Sequence, residues 1–347
     1  MKVTVTAPSR LHLGLIDCGN ATRRLFGGLG LSIDGFFVRV TAFSAEKWSF
    51  SQPQTNNPDT RLEKEVYALL RRLERQGAQP CRISVLETPP QHYGLGSKTS
   101  TLLSIAAGVA RLSELDLNSE QIAVLTGRGG TSGIGVNTFF HGGVIADSGH
   151  NEPPYKRNFA PSSRRVGIGN VPRIISRIEA SPDLKILLYA DRAADKVRIQ
   201  GNEELRIFRE TMPLDDIENL RSLAAVYHGV IPALQENNTE LLFESIRDLN
   251  TCGMKKIEVA LQSLATRSFI RDAWGAALTC GVSSFGPTVY CIVKEGQNTS
   301  VEPDRLAQKH SLERIGFFSF DSSSRNLDQF SPFRSPASSA CQSCRPR

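Results

Sequence analysis

The sequence lacks any apolar run long enough to cross a membrane, and its first ten residues are too polar for a secretory signal. It also lacks zinc-finger spacing, an aromatic RNA-binding motif and a long basic helix, which are the usual signs of a nucleic-acid partner. These absences predict a cytoplasmic protein that binds neither a membrane nor nucleic acid.

Cysteine is sparse, with seven residues in a chain of 347. Five are scattered, several of them in apolar stretches: Cys18, Cys81, Cys252, Cys280 and Cys291. This pattern favours reduced thiols in the protein core. Cys341 and Cys344 form a lone CxxC in a tail rich in serine, proline and arginine, which is weak evidence for zinc or redox chemistry.

The composition is that of a globular protein, with 40% hydrophobic and 22% charged residues and a formal net charge of +6. The length suits one large domain or two packed subdomains. A modest basic excess fits a small polyanionic substrate as well as it fits nucleic acid.

Hydrophobic periodicity predicts strands and helices that interleave without strict βαβ order, which indicates an α+β arrangement of two subdomains. Strands are expected at 1–7, 36–43, 81–87, 142–147, 184–189, 275–281 and 287–293, with a glycine-rich loop between the first two. Helices are expected at 59–77, 97–112, 119–126, 202–211, 215–235 and 239–265. Residues 150–165 form a predicted linker, and the segment from about 321 is predicted to be disordered.

The first chemical signal is a glycine-containing turn, Gly94-Leu95-Gly96-Ser97-Lys98-Thr99, between a predicted strand and a predicted helix. Backbone N–H groups at such a helix start, with hydroxyls and Lys98, suit a pyrophosphate or a triphosphate. A plain helix start with Ser97 as N-cap explains the same residues equally well. The GxxxxGK spacing of a Walker A loop is absent.

The second signal is five glycines within the nine residues 127–135. This density is costly for a helix or a strand, and it is typical of close backbone approach to a ligand. A flexible surface loop is the alternative, but the apolar residues that follow anchor the segment.

These elements, in this order, resemble the GHMP kinase superfamily. Mevalonate-type kinases carry an aspartate after SGI and a lysine in APGK, whereas this chain has Gly135 and Arg10 at those positions. Glycine cannot accept a proton, so the resemblance does not predict ordinary phosphoryl transfer.

One branch of the superfamily shares these departures, and the chain resembles the β-ribofuranosylaminobenzene 5′-phosphate synthase family of methanopterin biosynthesis over roughly residues 1–295. The matching segments are Ser9–Asp17, Gly27–Gly30, His92–Ser97, Gly127–Gly129, Ser132–Gly135, His141–Gly143, Ile231–Leu234 and Ser283–Thr288. Glu203 or Glu204 before Phe208 fits a further family element. Phe285 replaces a common tryptophan of the family, and Lys98 stands where the loop often has glycine.

The resemblance implies a GHMP-kinase-like fold, with an N-terminal part like ribosomal S5 domain 2 and a ferredoxin-like C-terminal part. The expected divisions are an N-terminal subdomain at 1–160 with the phosphate loop, a C-terminal subdomain at 161–320 and a tail at 321–347. A homodimer is expected by analogy only.

The resemblance also implies a reaction: phosphoribosyl pyrophosphate and 4-aminobenzoate or 4-hydroxybenzoate give a C-glycoside, CO2 and pyrophosphate, with Mg2+ as cofactor. The implied catalytic residues are Asp17, beside the cationic ribose carbon, together with His12 and Arg10. The implied substrate-binding residues are Gly94, Leu95, Gly96, Ser97, Lys98, Thr99, Ser132, Gly133, Gly135, His141, Ser283 and Ser284, and no metal ligands are assigned.

Three other functions stay open from the sequence. A GHMP-type small-molecule kinase would need a carboxylate from elsewhere in place of Gly135. A C-nucleoside synthase would use the same donor with another aromatic acid. A binding protein would sense phosphoribosyl pyrophosphate without catalysis.

Overall fold

The computed structural model describes residues 1–19, 21–53, 59–151, 170–191, 202–296 and 301–325. These residues form two principal sheets with helices packed on them. The first half supplies β1 (Lys2–Ile16), β2 (Arg24–Leu25), β3 (Gly27–Ser44), β4 (Ser49–Ser51), α1 (Thr60–Glu74), β5 (Cys81–Glu87), α2 (Ser97–Leu112), α3 (Ser119–Thr126), α4 (Ile134–His141), β6 (Val144–Asp147) and β7 (His150–Asn151). The expected α+β class is confirmed.

The second half begins with a strand that completes the first sheet. Its elements are β8 (Ile174–Ile178), β9 (Leu184–Ala190), α5 (Asn202–Thr211), α6 (Asp216–Ala225), a π-helical turn (Val226–Val230), α7 (Ile231–Gln235), α8 (Thr239–Thr251), α9 (Gly253–Ala260), α10 (Leu264–Gly275), β10 (Thr279–Val282), β11 (Thr288–Lys294), α11 (Pro303–Lys309) and β12 (Glu313–Ser319). The first sheet has the order β4-β5-β3-β6-β8 with β1 paired to β3, and the second has the order β10-β11-β9-β12.

The long hairpin of β1 and β3 belongs to two hydrophobic cores. Val3 and Val5 of β1 pack with α1, α2 and β5, whereas Leu11, Leu13 and Ile16 of the same strand pack with β9, β11 and α8. The middle of β1 therefore lies where the two cores meet, and this is where Arg10 and His12 stand.

Several elements match their predicted bounds. The strand 81–87 and the helices 97–112 and 119–126 are confirmed as predicted. The first helix is also confirmed: the Asp59 side chain accepts hydrogen bonds from the N–H groups of Arg61 and Leu62, and Gly77, at φ +94°, follows its end. Strong apolar periodicity and clear caps are local signals, which explains this agreement.

The prediction of a glycine-rich loop between the first two strands is wrong, because β1 continues to Ile16 and β3 begins at Gly27. These glycines mark close packing on a sheet. A Cβ atom at Gly30 would lie 2.3 Å from Ile134 Cγ2, and one at Gly28 would lie 2.5 Å from Ile134 Cγ1. Only glycine lets α4 rest this near to β3.

The second half contains more elements than the sequence indicated. The predicted helix 239–265 is interrupted where Cys252 is extended and Gly253 takes φ +56°, so that α8 and α9 are separate. Helices α10 and α11 and strand β12 were not predicted.

The structure tests the prediction for the five scattered cysteines but not the predictions for the linker and the C-terminal tail. The five scattered cysteines are buried, and no disulfide joins them within the described chain. Residues 152–165 of the predicted linker, the division at residue 160, residues 326–347 and the CxxC lie outside the described residues, so those predictions stay open. None of the helices in the described ranges has the length and hydropathy needed to span a bilayer.

Candidate functional site

A cavity opens at the middle of β1, with walls from both halves of the chain. Its lining comes from β1, the start of α2, the segment before and into α4, α5, α9 and the turn between β10 and β11. The residues are Arg10, His12, Leu15, Thr99, Gly129, Thr131, Ser132, Gly135, Val136, Glu204, Phe208, Glu258, Ser284 and Phe285. The cavity thus brings together Arg10, His12, Thr99, Ser132, Gly135 and Ser284 from the sequence-predicted site.

Arg10 and His12 reach the cavity together because residues two apart on a strand share a face. The Arg10 guanidinium donates to the Gly94 carbonyl oxygen at 3.1 Å, and its Nε is buried without a hydrogen-bond partner among the described residues. Burial lowers the pKa of Arg10 to about 10, and the charges of Glu258 and Glu204 oppose that change. Arg10 therefore stays cationic at neutral pH and keeps one donor for an anion.

His12 is held as a neutral imidazole. Burial, with the positive charges of Arg10 and Lys255 nearby, lowers the pKa of His12 well below its usual value. Its Nε2 lies 3.2 Å from Ser132 Oγ, and its Nδ1 is buried with no hydrogen-bond partner in the described part of the chain. His12 thus offers one ring nitrogen to a ligand without adding charge.

The predicted phosphate loop is a tight turn packed against Arg10. Gly94 and Gly96 take φ values of +77° and +74°, and a Cβ atom at Gly96 would lie 2.8 Å from Arg10 Cγ. Gly96 is the N-cap of α2 and no side chain caps this helix, so the alternative with Ser97 as N-cap is wrong and Ser97 is the first helical residue. An uncapped helix start beside an arginine favours an anion, because free N–H groups and the helix dipole both attract negative charge.

The second glycine segment leads directly into α4. Ser132 Oγ accepts a hydrogen bond from the Ile134 N–H at 3.2 Å, and Gly133 is the N-cap. Gly135, inside the helix, lines the cavity, and a Cβ atom there would lie 3.1 Å from Thr99 Cγ2. A larger side chain at residue 135 would press on the start of α2, which gives a steric reason for glycine at this position.

The turn between β10 and β11 closes on the phosphate loop. Ser283 Oγ accepts from the His12 N–H at 3.0 Å and donates to the Gly94 carbonyl oxygen at 2.7 Å. The Ser284 N–H donates to the His12 carbonyl oxygen at 3.1 Å. Ser283 therefore ties β1 to the loop, and Ser284 is the member of the pair that lines the cavity.

Helix α9 adds a buried ion pair that sequence reasoning missed. Lys255 Nζ donates to Glu258, to the Val282 carbonyl oxygen at 3.0 Å and to the His12 carbonyl oxygen at 3.3 Å. Burial lowers the pKa of Lys255 and raises that of Glu258, while each charge partly offsets the change in the other. In the sequence, a lysine and a glutamate three residues apart on a helix look like an ordinary surface pair, so no local signal revealed their burial.

Helix α5 adds a carboxylate and an aromatic ring one turn apart. Glu204 lines the cavity, and its pKa is raised to about 7 by burial and by the Glu258 charge, against the opposing effect of Arg10. Phe208 meets Phe285 edge to face, with ring centroids 5.8 Å apart. The pair gives the cavity an apolar wall beside its charged residues.

Nine of the fifteen predicted site residues do not line the cavity: Asp17, Gly94, Leu95, Gly96, Ser97, Lys98, Gly133, His141 and Ser283. Among them, the side chains of Asp17, Lys98 and His141 lie elsewhere. Asp17 Oδ2 accepts from the Thr22 N–H at 2.9 Å and from the Thr22 hydroxyl at 2.5 Å, an arrangement that holds the turn after β1. Lys98 is paired with Glu65 of α1 at 2.6 Å, so a carboxylate of the chain already offsets its charge. His141 ends α4, about 9 Å along the helix axis from Gly135. The roles assigned to these three residues stay predictions.

Leu95, within the phosphate loop, is buried, and its carbonyl oxygen accepts a hydrogen bond from the Arg10 N–H at 3.1 Å.

No group of three or more metal-binding side chains occurs within the described ranges. Mg2+ is commonly held by one or two carboxylates, water and substrate phosphates, so a phosphorylated substrate can bring it without a protein cage.

The fold and the sequence both resemble those of known proteins. The family model for the GHMP kinases N terminal domain matches residues 62–143. The solved phosphomevalonate kinase of Streptococcus pneumoniae superposes with a TM-score of 0.65 at 13% identity, covering 91% of this chain and 99% of that chain. Homoserine kinase from Cytophaga hutchinsonii gives 0.63 at 13% identity, covering 93% and 96%. At such low identity these matches show the fold alone, and they confirm the GHMP-kinase-like prediction.

Relatives at higher identity are synthases. The beta-ribofuranosylphenol 5'-phosphate synthase of Methanothermobacter thermautotrophicus is 32% identical over 304 residues, covering 85% of this chain and 90% of its own length. The protein of the same name from Methanocaldococcus jannaschii is 30% identical over 297 residues, covering 82% and 88%. The chain therefore belongs to the beta-ribofuranosylphenol 5'-phosphate synthase family, a group of enzymes with the GHMP kinase fold.

Proposed function

We propose that this enzyme transfers the ribosyl 5-phosphate group of phosphoribosyl pyrophosphate to 4-hydroxybenzoate or 4-aminobenzoate. The new bond joins ribose C1 to the ring carbon that bears the carboxylate, and CO2 and pyrophosphate leave. The product is the β-ribofuranosylphenol or β-ribofuranosylaminobenzene 5′-phosphate, as in tetrahydromethanopterin biosynthesis. The relatives are named for the phenol product, which favours the hydroxy acid as acceptor.

One observation carries this proposal: a single cavity has an anion-binding wall and an aromatic wall. Arg10 and the uncapped start of α2 form the first wall, and Phe208 with Phe285 forms the second. A phosphorylated sugar and a flat aromatic acid need these two surfaces side by side. Gly135 also argues against a kinase, because it leaves the cavity without a carboxylate at the position where the kinases carry their aspartate.

The residues divide the chemical work as follows. Arg10 and the α2 amides stabilise the pyrophosphate group as it leaves, and Mg2+ bound to the donor phosphates would offset part of its charge. Neutral His12 donates or accepts one hydrogen bond at a substrate oxygen through its open ring nitrogen. The phenylalanine pair holds the acceptor ring flat. It also keeps water away from the cationic ribose carbon, which water would otherwise attack in place of the acceptor.

The test is an incubation of the purified protein with phosphoribosyl pyrophosphate, Mg2+ and acceptor labelled in its carboxyl group. We expect equal release of pyrophosphate and labelled CO2, together with a ribosyl phosphate product whose mass lacks the carboxyl group. A parallel reaction supplies ATP and a small alcohol such as mevalonate or homoserine. ADP formation there, without CO2 release from the labelled acid, would refute the proposal in favour of a kinase.

Failure with both benzoates has two further outcomes. If calorimetry then shows tight binding of phosphoribosyl pyrophosphate, other aromatic acids become the acceptor candidates, as in C-nucleoside synthesis. If the donor does not bind either, ribosyl transfer is excluded.

A further inference from the structure

The carboxylate of Glu204 takes no part in the division of chemical work among Arg10, His12 and the phenylalanine pair. It lines the cavity one helical turn from Phe208, so α5 presents the carboxylate and the aromatic wall on one face. Burial and the charges of Glu258 and Arg10 shift the pKa of this carboxylate, and no hydrogen bond contributes to that shift. Glu258, by contrast, is engaged by Lys255.

We propose that Glu204 is the general base that takes the proton from the 4-hydroxyl of the aromatic acceptor. The proposal rests on the proposed function, because it assigns a proton acceptor to that reaction. An acceptor ring stacked on Phe208 and Phe285 lies next to the turn of α5 that carries Glu204, which brings a ring substituent within its reach.

The step balances without any further reactant. The O–H electron pair moves into the ring as Glu204 takes the proton, and the carbon bearing the carboxylate bonds to ribose C1 while the bond from C1 to pyrophosphate breaks. The resulting dienone loses CO2, and the electrons of that bond restore the aromatic ring. The phenolate that forms takes the proton back from Glu204.

The charges around Glu204 suit this cycle. Arg10 and His12 line the same cavity from β1, and Glu258, which is paired with Lys255, lines it from α9; on the helix of Glu204 itself, Glu203 and Arg206 form an exposed ion pair. The resulting pKa of Glu204, about 7, lies closer to that of a phenol than an ordinary carboxylate does, so proton transfer in both directions is less uphill. His12 is neutral and cannot supply this titration.

The two acceptors make a matched comparison. A phenol must lose its proton before its oxygen can push electrons fully into the ring, whereas an aromatic amine does so with its own lone pair. Replacing Glu204 should therefore harm the hydroxy acid and spare the amino acid.

The experiment measures kcat/KM of wild type, Glu204→Gln and Glu203→Gln with both acceptors from pH 5.5 to 10. In Glu204→Gln we expect a loss of about 10²–10⁴-fold with 4-hydroxybenzoate and a change within about threefold with 4-aminobenzoate. The second acceptor shows in the same variant that the fold and the donor site are intact. Glu203→Gln, an exposed neighbour, should match wild type with both acceptors.

The pH profile gives a signature that a structural role would not produce. With 4-hydroxybenzoate, wild-type activity should rise through about pH 7 as Glu204 ionises. In Glu204→Gln that rise should vanish, and activity should return only as the phenol itself ionises towards about pH 10. A ring-fluorinated 4-hydroxybenzoate, whose phenol ionises at lower pH, should restore activity to the variant near neutrality.

Equal losses with both acceptors, or no loss with either, would overturn the assignment of Glu204 while leaving ribosyl transfer in place. Wild-type protein that forms no product from either acceptor would overturn the proposed function, and the assignment of Glu204 with it.

Discussion

Replacing Lys255 with methionine tests how the buried ion pair of α9 supports the site. Lys255 Nζ is almost completely buried and binds Glu258 and the carbonyl oxygens of Val282 and His12. Methionine keeps most of the volume and removes the charge. The variant therefore leaves a carboxylate buried without its cation.

The expected effect is large because of that uncompensated charge. Removing one partner of a buried pair costs about 3–5 kcal/mol in the free energy of unfolding. The loss should depend on pH. Without Lys255, the pKa of Glu258, already raised by burial above its usual 4.5, rises further. The folded variant then binds a proton that the unfolded chain does not, so its stability increases as pH falls from that raised value towards 4.5.

Urea unfolding at pH 5 and pH 8, followed by circular dichroism, measures both effects. Lys256→Met is the matched control: this neighbouring lysine is exposed and lies 3.5 Å from Glu218, so its loss should cost less than about 1 kcal/mol. The double variant Lys255→Met/Glu258→Gln should recover much of the lost stability. A single variant no weaker than the control, or a double variant no better than the single one, would refute this reasoning.

Three further predictions concern the anion-binding wall and the turn after β1. Arg10→Gln should raise the KM for the donor by about tenfold or more, because a charged hydrogen bond is lost. Lys98→Met should leave this KM unchanged, because the charge of Lys98 is paired with Glu65, and steady-state kinetics distinguishes the two variants. Gly96→Ala should destabilise the protein by about 1–3 kcal/mol, because alanine is strained at φ +74° and meets Arg10, while Gly275→Ala on α10, where nothing lies within 4 Å, should not destabilise it. Asp17→Asn should cut turnover severely and leave donor affinity measured by calorimetry nearly intact; if Thr22→Val, which keeps the carboxylate, has the same effect, Asp17 acts only by holding the turn.

The predicted parts of the fold were those with local signals. Strand Cys81–Glu87 and helix Ser97–Leu112 lie between clear turns, and their patterns match the period of each structure. The glycines of β3 misled the prediction because their cause is remote in sequence: Ile134 packs on them from α4. Without the position of α4, those glycines are indistinguishable from a loop.

Site residues inside sequence motifs could be predicted, whereas those outside such motifs could not. Arg10, His12, Thr99, Ser132, Gly135 and Ser284 were found because they lie in motifs whose order resembles a known family. Lys255 and Glu258 belong to no such motif, and their burial depends on the packing of α9 against β1 and β10. Lys98 shows the converse, since a lysine in a phosphate loop is directed elsewhere by an acidic residue 33 positions away.

The hairpin of β1 and β3 has a further consequence, because one strand completes two cores. Cutting the chain between its halves would leave Leu11, Leu13 and Ile16 in one fragment and their packing partners on β9, β11 and α8 in the other. Neither fragment should fold alone, but the two should reassemble when mixed. Because both halves line the cavity, a ligand bound there would bridge them. Donor at saturating concentration should therefore strengthen the reassembly of the fragments and also raise the melting temperature of the intact enzyme.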